Sequence, residues 1–409
     1  MREQSSVLPA STRSARQLAA ALPSRRASTA APHRATVAAR SHHAAAGSYN
    51  VGIIYSRTGL LSAYGAEYVE GLKYGIKYAT NGTGKVNGKT INLTLADDAT
   101  DPATGVSKMK DLIGQGYKII AGAESSAVAL QEGPLAAQNH VLFISGPAAS
   151  DAITGLNKDT FRSGRQTYQD VADASTYLTG AGKNVVVFTQ DSAFGQGNYA
   201  AVKAIMGSKH TVTPIYVPLT ATDLTPFAQQ VKQANADLLY VAWAGSTAPA
   251  MWTALDQQNV FSSVKSIVTG LAERATYPSY GPAVSKIQFI SHYLYQAPSN
   301  KVNTWLVTQM RKKSQFPDLF TPDGFVAGQM IVHALQKGDG DVDKMIAALE
   351  GWKFLAPKGW EAIRPQDHAL LQPMFRVSLS KVNNVWTAKL LGTANGYQTA
   401  PPITTVLPS

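Results

Sequence analysis

The residues best placed to do chemistry in this chain are serines rather than acids, histidines or cysteines. The stretch Ala121 to Ser150 reads AGAESSAVALQEGPLAAQNHVLFISGPAAS. One apolar run ends in Gly122 and the Ser125/Ser126 pair, a helical stretch follows, and the next apolar run, Val141 to Ile144, ends in SGPAAS. Clustered Gly, Ser and Ala at two successive strand-to-helix junctions let backbone amides and hydroxyls approach a small ligand with little side-chain bulk between. The chemistry on offer is the binding of a small ligand rather than a reaction, and hydroxyl donors, first-turn amides and the helix dipole favour negative charge there. The same serines also suit helix N-caps that accept from those amides.

Signals of catalysis fail on spacing. In GTGKVNGKT a phosphate loop would need four residues between the first glycine and the Gly-Lys pair, but Gly82 leaves five and Gly84 leaves three. No serine sits in GxSxG. Of eight histidines, His33, His42 and His43 fall near the N-terminus, while His140, His210, His292, His333 and His368 are scattered without ligand spacing. Asp97, Asp98 and Asp101 crowd one loop but lack the alternation of a calcium site, and read as a solvated turn capping a helix from Ala103. The absence of cysteine excludes disulfides, thiolate metal sites, a cysteine nucleophile and a lipid-anchored N-terminal Cys. The expectation is a binding protein, not an enzyme, with no cofactor and no metal.

The elements that must position these loops alternate along the chain. Apolar runs at Val51 to Tyr55, Ile91 to Ala96, Lys118 to Ala121, Val141 to Ile144, Val185 to Thr189, Val212 to Val217, Leu238 to Trp243, Ile267 to Thr269 and Ile287 to Ile290 are separated by amphipathic stretches. One of these, Tyr64 to Ala79, sets Val69, Leu72, Ile76 and Ala79 on one face. Strand and helix in alternation indicate parallel sheets covered on both faces, and the strands are too many for one ordinary open sheet. Two doubly wound, Rossmann-like α/β lobes follow, with ligands expected beyond the carboxyl ends of the strands. Polar or Pro/Gly-rich stretches at Phe161 to Asp170, after Ile290, and at Lys353 to Pro373 mark three crossings. The domains are therefore a leader at 1–48, a first lobe at 49–163 plus 296–358, and a second at 164–295 plus 359–409.

Charge is unevenly spread. The chain of 409 residues carries +11, but residues 1–48 hold seven arginines against Glu3. Subtracting that +6 leaves +5 for the rest, without a basic run interleaved with aromatics, so no nucleic-acid partner is expected. The leader is rich in Ala, Ser, Arg and Pro, and reads as disordered and as an atypical export signal, a transit peptide or a misassigned start. No apolar run is long enough to span a bilayer.

Several strings in order carry a resemblance: Thr58-Gly59 with AYG at Ala63 to Gly65, NGTGKVNGK at Asn81 to Lys89, ADDATDP at Ala96 to Pro102, the two serine loops, DSAFGQG at Asp191 to Gly197 and IRPQDH at Ile363 to His368. From Tyr49 to about Leu391 the chain resembles the type I solute-binding proteins of ABC transporters, in the leucine/isoleucine/valine-binding group. The resemblance implies two lobes joined by a three-segment hinge, closing on a branched-chain or other amino acid or a related acid. It implies Ser125, Ser126, Ala148 and Ser150 at the ligand carboxylate, with Phe194 and then Trp243 or Ala244 as second-lobe walls. Glu273 falls one residue from where an acid would meet an amino group. Tyr64 and Arg165 are placed at the crevice, Arg165 with hinge pairing as its other reading.

The implied protein is a monomeric extracytoplasmic receptor of an ABC importer, handing its small-molecule ligand to a membrane permease after the leader is processed. A ligand-sensing regulatory domain of the same fold, uncoupled from transport, is the alternative.

Overall fold

A computed structural model describes residues 47–408, so the expected leader lies almost wholly outside the described residues. The first strand already begins at Ser48. Two sheets organise the chain. The first runs in the order Lys85–Val86, Lys89–Asp97, Ser48–Tyr55, Ile119–Gly122, Leu142–Ser145 and Thr160–Arg162, parallel throughout except for the short hairpin strand at its edge. The second places Asn184–Asp191 between Thr211–Pro218 and Leu238–Ala242, then continues through Ser266–Gly270 and Ile287–Ser291 to an antiparallel hairpin, Met374–Val382 and Val385–Ala394.

In each sheet the winding direction reverses once beside its first strand, and there the loops leaving neighbouring strands diverge to open a crevice. In the first sheet the reversal lies between Ser48–Tyr55 and Ile119–Gly122, whose carboxyl ends lead to Leu60 and to Ser125. In the second it lies between Asn184–Asp191 and Leu238–Ala242, which lead to Phe194 and Trp243.

Helix Ser62–Ala79 packs backbone against backbone on helix Thr321–Gly338. A Cβ at Gly71 would stand 2.0 Å from the Thr321 carbonyl oxygen, and one at Gly324 would stand 1.9 Å from that of Tyr68. The Gly71/Gly75 and Gly324/Gly328 pairs, each four residues apart, thus form the seam in which any side chain would force the helices apart. The seam fixes the two helix starts together, and with them the rings of Tyr64 and Phe320, whose centroids lie 4.4 Å apart.

The chain passes between the sheets more often than expected. The crossings near 163–166 and 292–300 fall where the polar stretches lie. The third falls later. Strands Lys353–Ala356, Gly359–Ile363 and Leu370–Leu371 form a small antiparallel sheet, and Phe354, Ile363 and Leu370 bury their side chains in the core of the first sheet. Residues 359–371 therefore pack with the first lobe, correcting their assignment to the second. After the 374–394 hairpin the chain returns. Arg364 donates to the Pro401 carbonyl at 2.7 Å, and Leu407 N donates to that of Gln366 at 2.8 Å. The C-terminal stretch therefore also lies on the first lobe, and only the hairpin belongs with the second.

Candidate functional site

A cavity of about 480 Å³ lies between the carboxyl ends of the two sheets. Its first-lobe wall is built by the loop after Tyr55 and by the start of helix Ser126–Asn139. Asp97 holds the loop by accepting from Arg57 N and Thr58 N at 3.0 and 3.1 Å. Thr100 Oγ1 accepts from Leu61 N at 3.2 Å. Asp101 caps helix Pro102–Gly114 through Thr104 N at 2.8 Å, as the sequence implied. Asp98 is not solvated, however. It is fully buried, and accepts from Ser56 Oγ and Thr100 N at 2.8 and 2.7 Å.

The turn into helix Ser126–Asn139 is tight. Gly122 has φ +131°, and a Cβ there would stand 1.7 Å from the Ile54 carbonyl oxygen; Ala123 follows with φ +62°. Ser125 takes the N-cap position but makes no side-chain cap, so the first-turn amides beside the cavity are not used by it. Ser126 Oγ accepts from Ser150 N at 3.1 Å, which leaves its own proton free to donate. Ser125, Ser126 and Ala127 all line the cavity.

The second-lobe wall is mainly apolar and aromatic. Helix Ala193–Met206 starts directly over its strand, since a Cβ at Gly195 would stand 1.9 Å from the Gln190 carbonyl oxygen, and Phe194 is thereby turned onto the cavity. Trp243 packs on Phe188 at 5.4 Å and donates its Nε1 hydrogen to Thr247 Oγ1 at 2.9 Å. Gln190 clamps the next residue, accepting from Ala244 N and donating to its carbonyl at 3.0 and 3.1 Å. Three contacts tie the lobes together at the rim: Gly245 N donates to Tyr64 Oη at 2.9 Å, Ser246 N to the Leu60 carbonyl at 3.1 Å, and Arg274 pairs with Asp318 at 3.0 Å.

Of the residues singled out from sequence, Tyr64, Ser125, Ser126, Phe194, Trp243, Arg165 and Ala244 line the cavity. Ala148, Ser150 and Glu273 do not. Ala148 is buried in the first-lobe core, its N–H donates to the Ala123 carbonyl and its carbonyl accepts from Arg162, so no polar group there is left for a ligand. Ser150 donates its N–H to Ser126 Oγ and its hydroxyl oxygen accepts from Ala152 N at 3.3 Å, while Pro147 and Ala149, not Ser150, take the wall. Glu273 stands at the start of the 3-10 turn Arg274–Ser285, close enough to Thr276 Oγ1 for a 3.5 Å contact, and Ala272 faces the cavity in its place.

The sequence reading missed Glu124, Asp170, His292 and Phe320, which also line the cavity. Glu124 Oε2 accepts from Ser56 N at 2.6 Å, and burial, reinforced by Asp98, pushes its carboxyl up to about 8. Burial pushes Asp170 up to about 6 against the pull of Arg165, and holds His292 well below the usual imidazole range, so that His292 is neutral. Among the described residues no group of three or more His, Asp or Glu is arranged to hold a metal ion, and no helix is long and apolar enough to cross a membrane.

A family model described as periplasmic binding protein matches residues 48–383. The chain belongs to that family. Within it the relatives are solute-binding proteins of ABC transporters. The Leu/Ile/Val-binding protein homolog 1 of Brucella abortus is 25% identical over 309 residues, covering 73% of this chain and 81% of its own. A structure described as an ABC-type branched-chain amino acid transporter from Rhodopseudomonas palustris is 31% identical with a TM-score of 0.73, covering 87% of this chain and 99% of its own. A second, a solute-binding protein from Rhodopseudomonas palustris in complex with 3,4-dihydroxybenzoic acid, is 25% identical with a TM-score of 0.75, covering 85% and 98%. This periplasmic binding protein is thus a type I, two-lobed member of the leucine/isoleucine/valine-binding group, a family of small-molecule receptors rather than enzymes that works outside the cytoplasm with ABC permeases.

Proposed function

We propose that this periplasmic binding protein takes a small carboxylic acid with an apolar, aromatic body, held by its carboxylate at Ser125, Ser126 and the start of helix Ser126–Asn139. The observation that carries this reading is the contrast between a serine-bearing helix start left uncapped at the cavity and the lack of an ionised, unpaired acid on the described wall. An α-amino acid needs a partner for its ammonium. Glu273 is off the wall, Glu124 is largely protonated at neutral pH, and Asp170 is already paired with Arg165. The relative bound to 3,4-dihydroxybenzoic acid supports an aromatic acid, while those described as branched-chain amino acid binders support the alternative ligand.

Binding proceeds by closure. A ligand gripped by the first-lobe serines and covered by Phe194 and Trp243 favours the closed population, because it touches both lobes only there. The rim contacts of Tyr64 and Leu60 with Gly245 and Ser246 add to that state. A thermal-shift screen of the full chain against benzoate-type acids, leucine, isoleucine, valine and short amides tests the ligand class. An aromatic acid at a hundredfold excess over its Kd stabilises by about 2.7 kcal/mol. Stabilisation by leucine with none from any aromatic acid overturns the reading, and scattering without compaction at saturating ligand overturns closure.

A further inference from the structure

The cavity wall carries a second set of polar atoms that the carboxylate site does not use. Arg165 leaves the hinge segment, Asp170 sits in helix Thr167–Ala174, and His292 follows strand Ile287–Ser291 of the second sheet. All three line the cavity and are 5%, 4% and 5% exposed. Their hydrogen bonding is incomplete. Arg165 Nη1 donates to the Pro147 carbonyl at 2.8 Å, but its Nε, 3.2 Å from Asp170 Oδ2, lacks the alignment of a hydrogen bond. His292 Nε2 is 3.5 Å from Asp170 Oδ1, too long for a good one, and Asp170 Oδ1 and His292 Nδ1 have no partner. Orphaned polar atoms at this depth are costly unless something else meets them.

Most other polar side chains on the second-lobe wall donate within the protein. Asn198 donates to the Phe194 carbonyl at 2.9 Å, Thr269 to the Val241 carbonyl at 2.9 Å, and Gln190 clamps Ala244.

We propose that Arg165, Asp170 and His292 form a second polar subsite that reads a hydroxyl group on the ligand. The inference rests on the reading of the cavity as a carboxylic-acid site and names the substituent that acid carries. Charge selects the group. A second carboxylate would meet Asp170, and an ammonium would meet Arg165. A neutral hydroxyl can donate to the carboxylate and accept from the guanidinium or from the neutral imidazole at once. The ligand is therefore a hydroxylated carboxylic acid, and its unsubstituted analogue leaves the cluster unpaired.

Calorimetric titration of the full chain with benzoate, 3-hydroxybenzoate and 4-hydroxybenzoate tests this. At least one hydroxybenzoate binds about tenfold tighter than benzoate, the worth of a hydrogen bond to a charged group. In His292→Phe, which keeps a ring and removes both nitrogens, that preference falls to within about threefold, read as the ratio of hydroxybenzoate to benzoate affinity in the same variant. Asp170→Asn, checked by its ligand-free melting curve, shrinks the preference in the same direction. Equal affinities for all three acids in the unaltered protein overturn the subsite, as does a preference undiminished in His292→Phe; in both cases the carboxylate reading stands, since benzoate still binds. Failure of all three acids to bind, with leucine binding, overturns the carboxylic-acid reading and this inference together.

Discussion

The two lobes meet the cavity with the same short string and use it differently. Ala63-Tyr64-Gly65 and Ala193-Phe194-Gly195 each follow the first strand of their sheet, and each glycine lets its helix start against a strand-end carbonyl, that of Ser56 in one lobe and of Gln190 in the other. The aromatic ring is presented to the cavity both times. Tyr64 carries a hydroxyl that accepts from Gly245 N across the rim, whereas Phe194 has none and packs with the second-lobe core. Around them the contrast widens. The first lobe offers hydroxyls and an open helix start, the second mainly aromatic and apolar surface, with Asp170 and His292 among its polar exceptions. One lobe thus supplies the carboxylate anchor and the other most of the cover, a division that lets a receptor change its ligand by altering the second wall while keeping the anchor.

That division predicts unequal effects. Replacing both serines, Ser125→Ala with Ser126→Ala, removes two hydrogen-bond donors to a charged group and lowers acid affinity about a hundredfold, measured by calorimetry. It also strips Ser150 N of its acceptor, so the ligand-free melting temperature falls by about 1 to 4 °C, what an orphaned buried amide costs in a protein of this size. Phe194→Ala thins only the cover. Its loss is about tenfold for an aromatic acid, in line with one lost ring contact and its buried area, and smaller for an aliphatic one. If Phe194→Ala costs more than the serine pair, the assignment of anchor and cover is reversed.

A smaller effect concerns protons in the first lobe. Glu124 is raised to about 8 by burial, with Asp98 adding to the shift, so the folded state holds a proton that the unfolded chain releases near the ordinary glutamate value. Between roughly pH 4.5 and 8 the native state then binds more protons than the unfolded one, and its stability falls as pH rises. Glu124→Gln keeps the shape without the charge. Melting temperatures recorded from pH 5 to 9 decline less steeply in this variant, and an unchanged slope means that Glu124 is not the group responsible.

Why part of this was readable in the sequence follows from range. Alternating apolar strands and amphipathic helices are local patterns, so the two α/β sheets and the strand-end loops could be placed from them. The affiliation of residues 359–371 depends on Ile363 and Leu370 reaching a distant core, and that of the C-terminal stretch on a hydrogen bond from Arg364 to the Pro401 carbonyl and one from Leu407 N to the Gln366 carbonyl, none of which leaves a local trace. The hairpin at 374–394 leaves a weaker pattern, because Arg376, Ser378, Ser380, Thr387 and Lys389 interrupt its apolar residues and break the continuous runs that betray the buried parallel strands.

At the site the same limit acts within single loops. Ser125 and Ser126 could be placed because small residues after apolar runs mark strand ends, whereas Phe194 and Trp243 are placed at the cavity by the family resemblance. Ala148 is held inward by bonds from its N–H to the Ala123 carbonyl and from Arg162 to its own carbonyl, leaving Ala149 on the wall, and Ala272 rather than Glu273 faces the cavity by a difference of one residue. His292 gave no signal beyond its place after a strand. Asp170 did, since charged residues in a crossing segment that must be buried need partners.

The central claim is that the first lobe holds a carboxylate, and the most direct test compares benzoate with benzamide, nearly identical in shape, by calorimetry on the full chain. The account predicts that benzamide binds at least about thirtyfold more weakly, because the serine hydroxyls and the helix start lose the charge they favour. Equal affinities, or tighter binding of the amide, would contradict it.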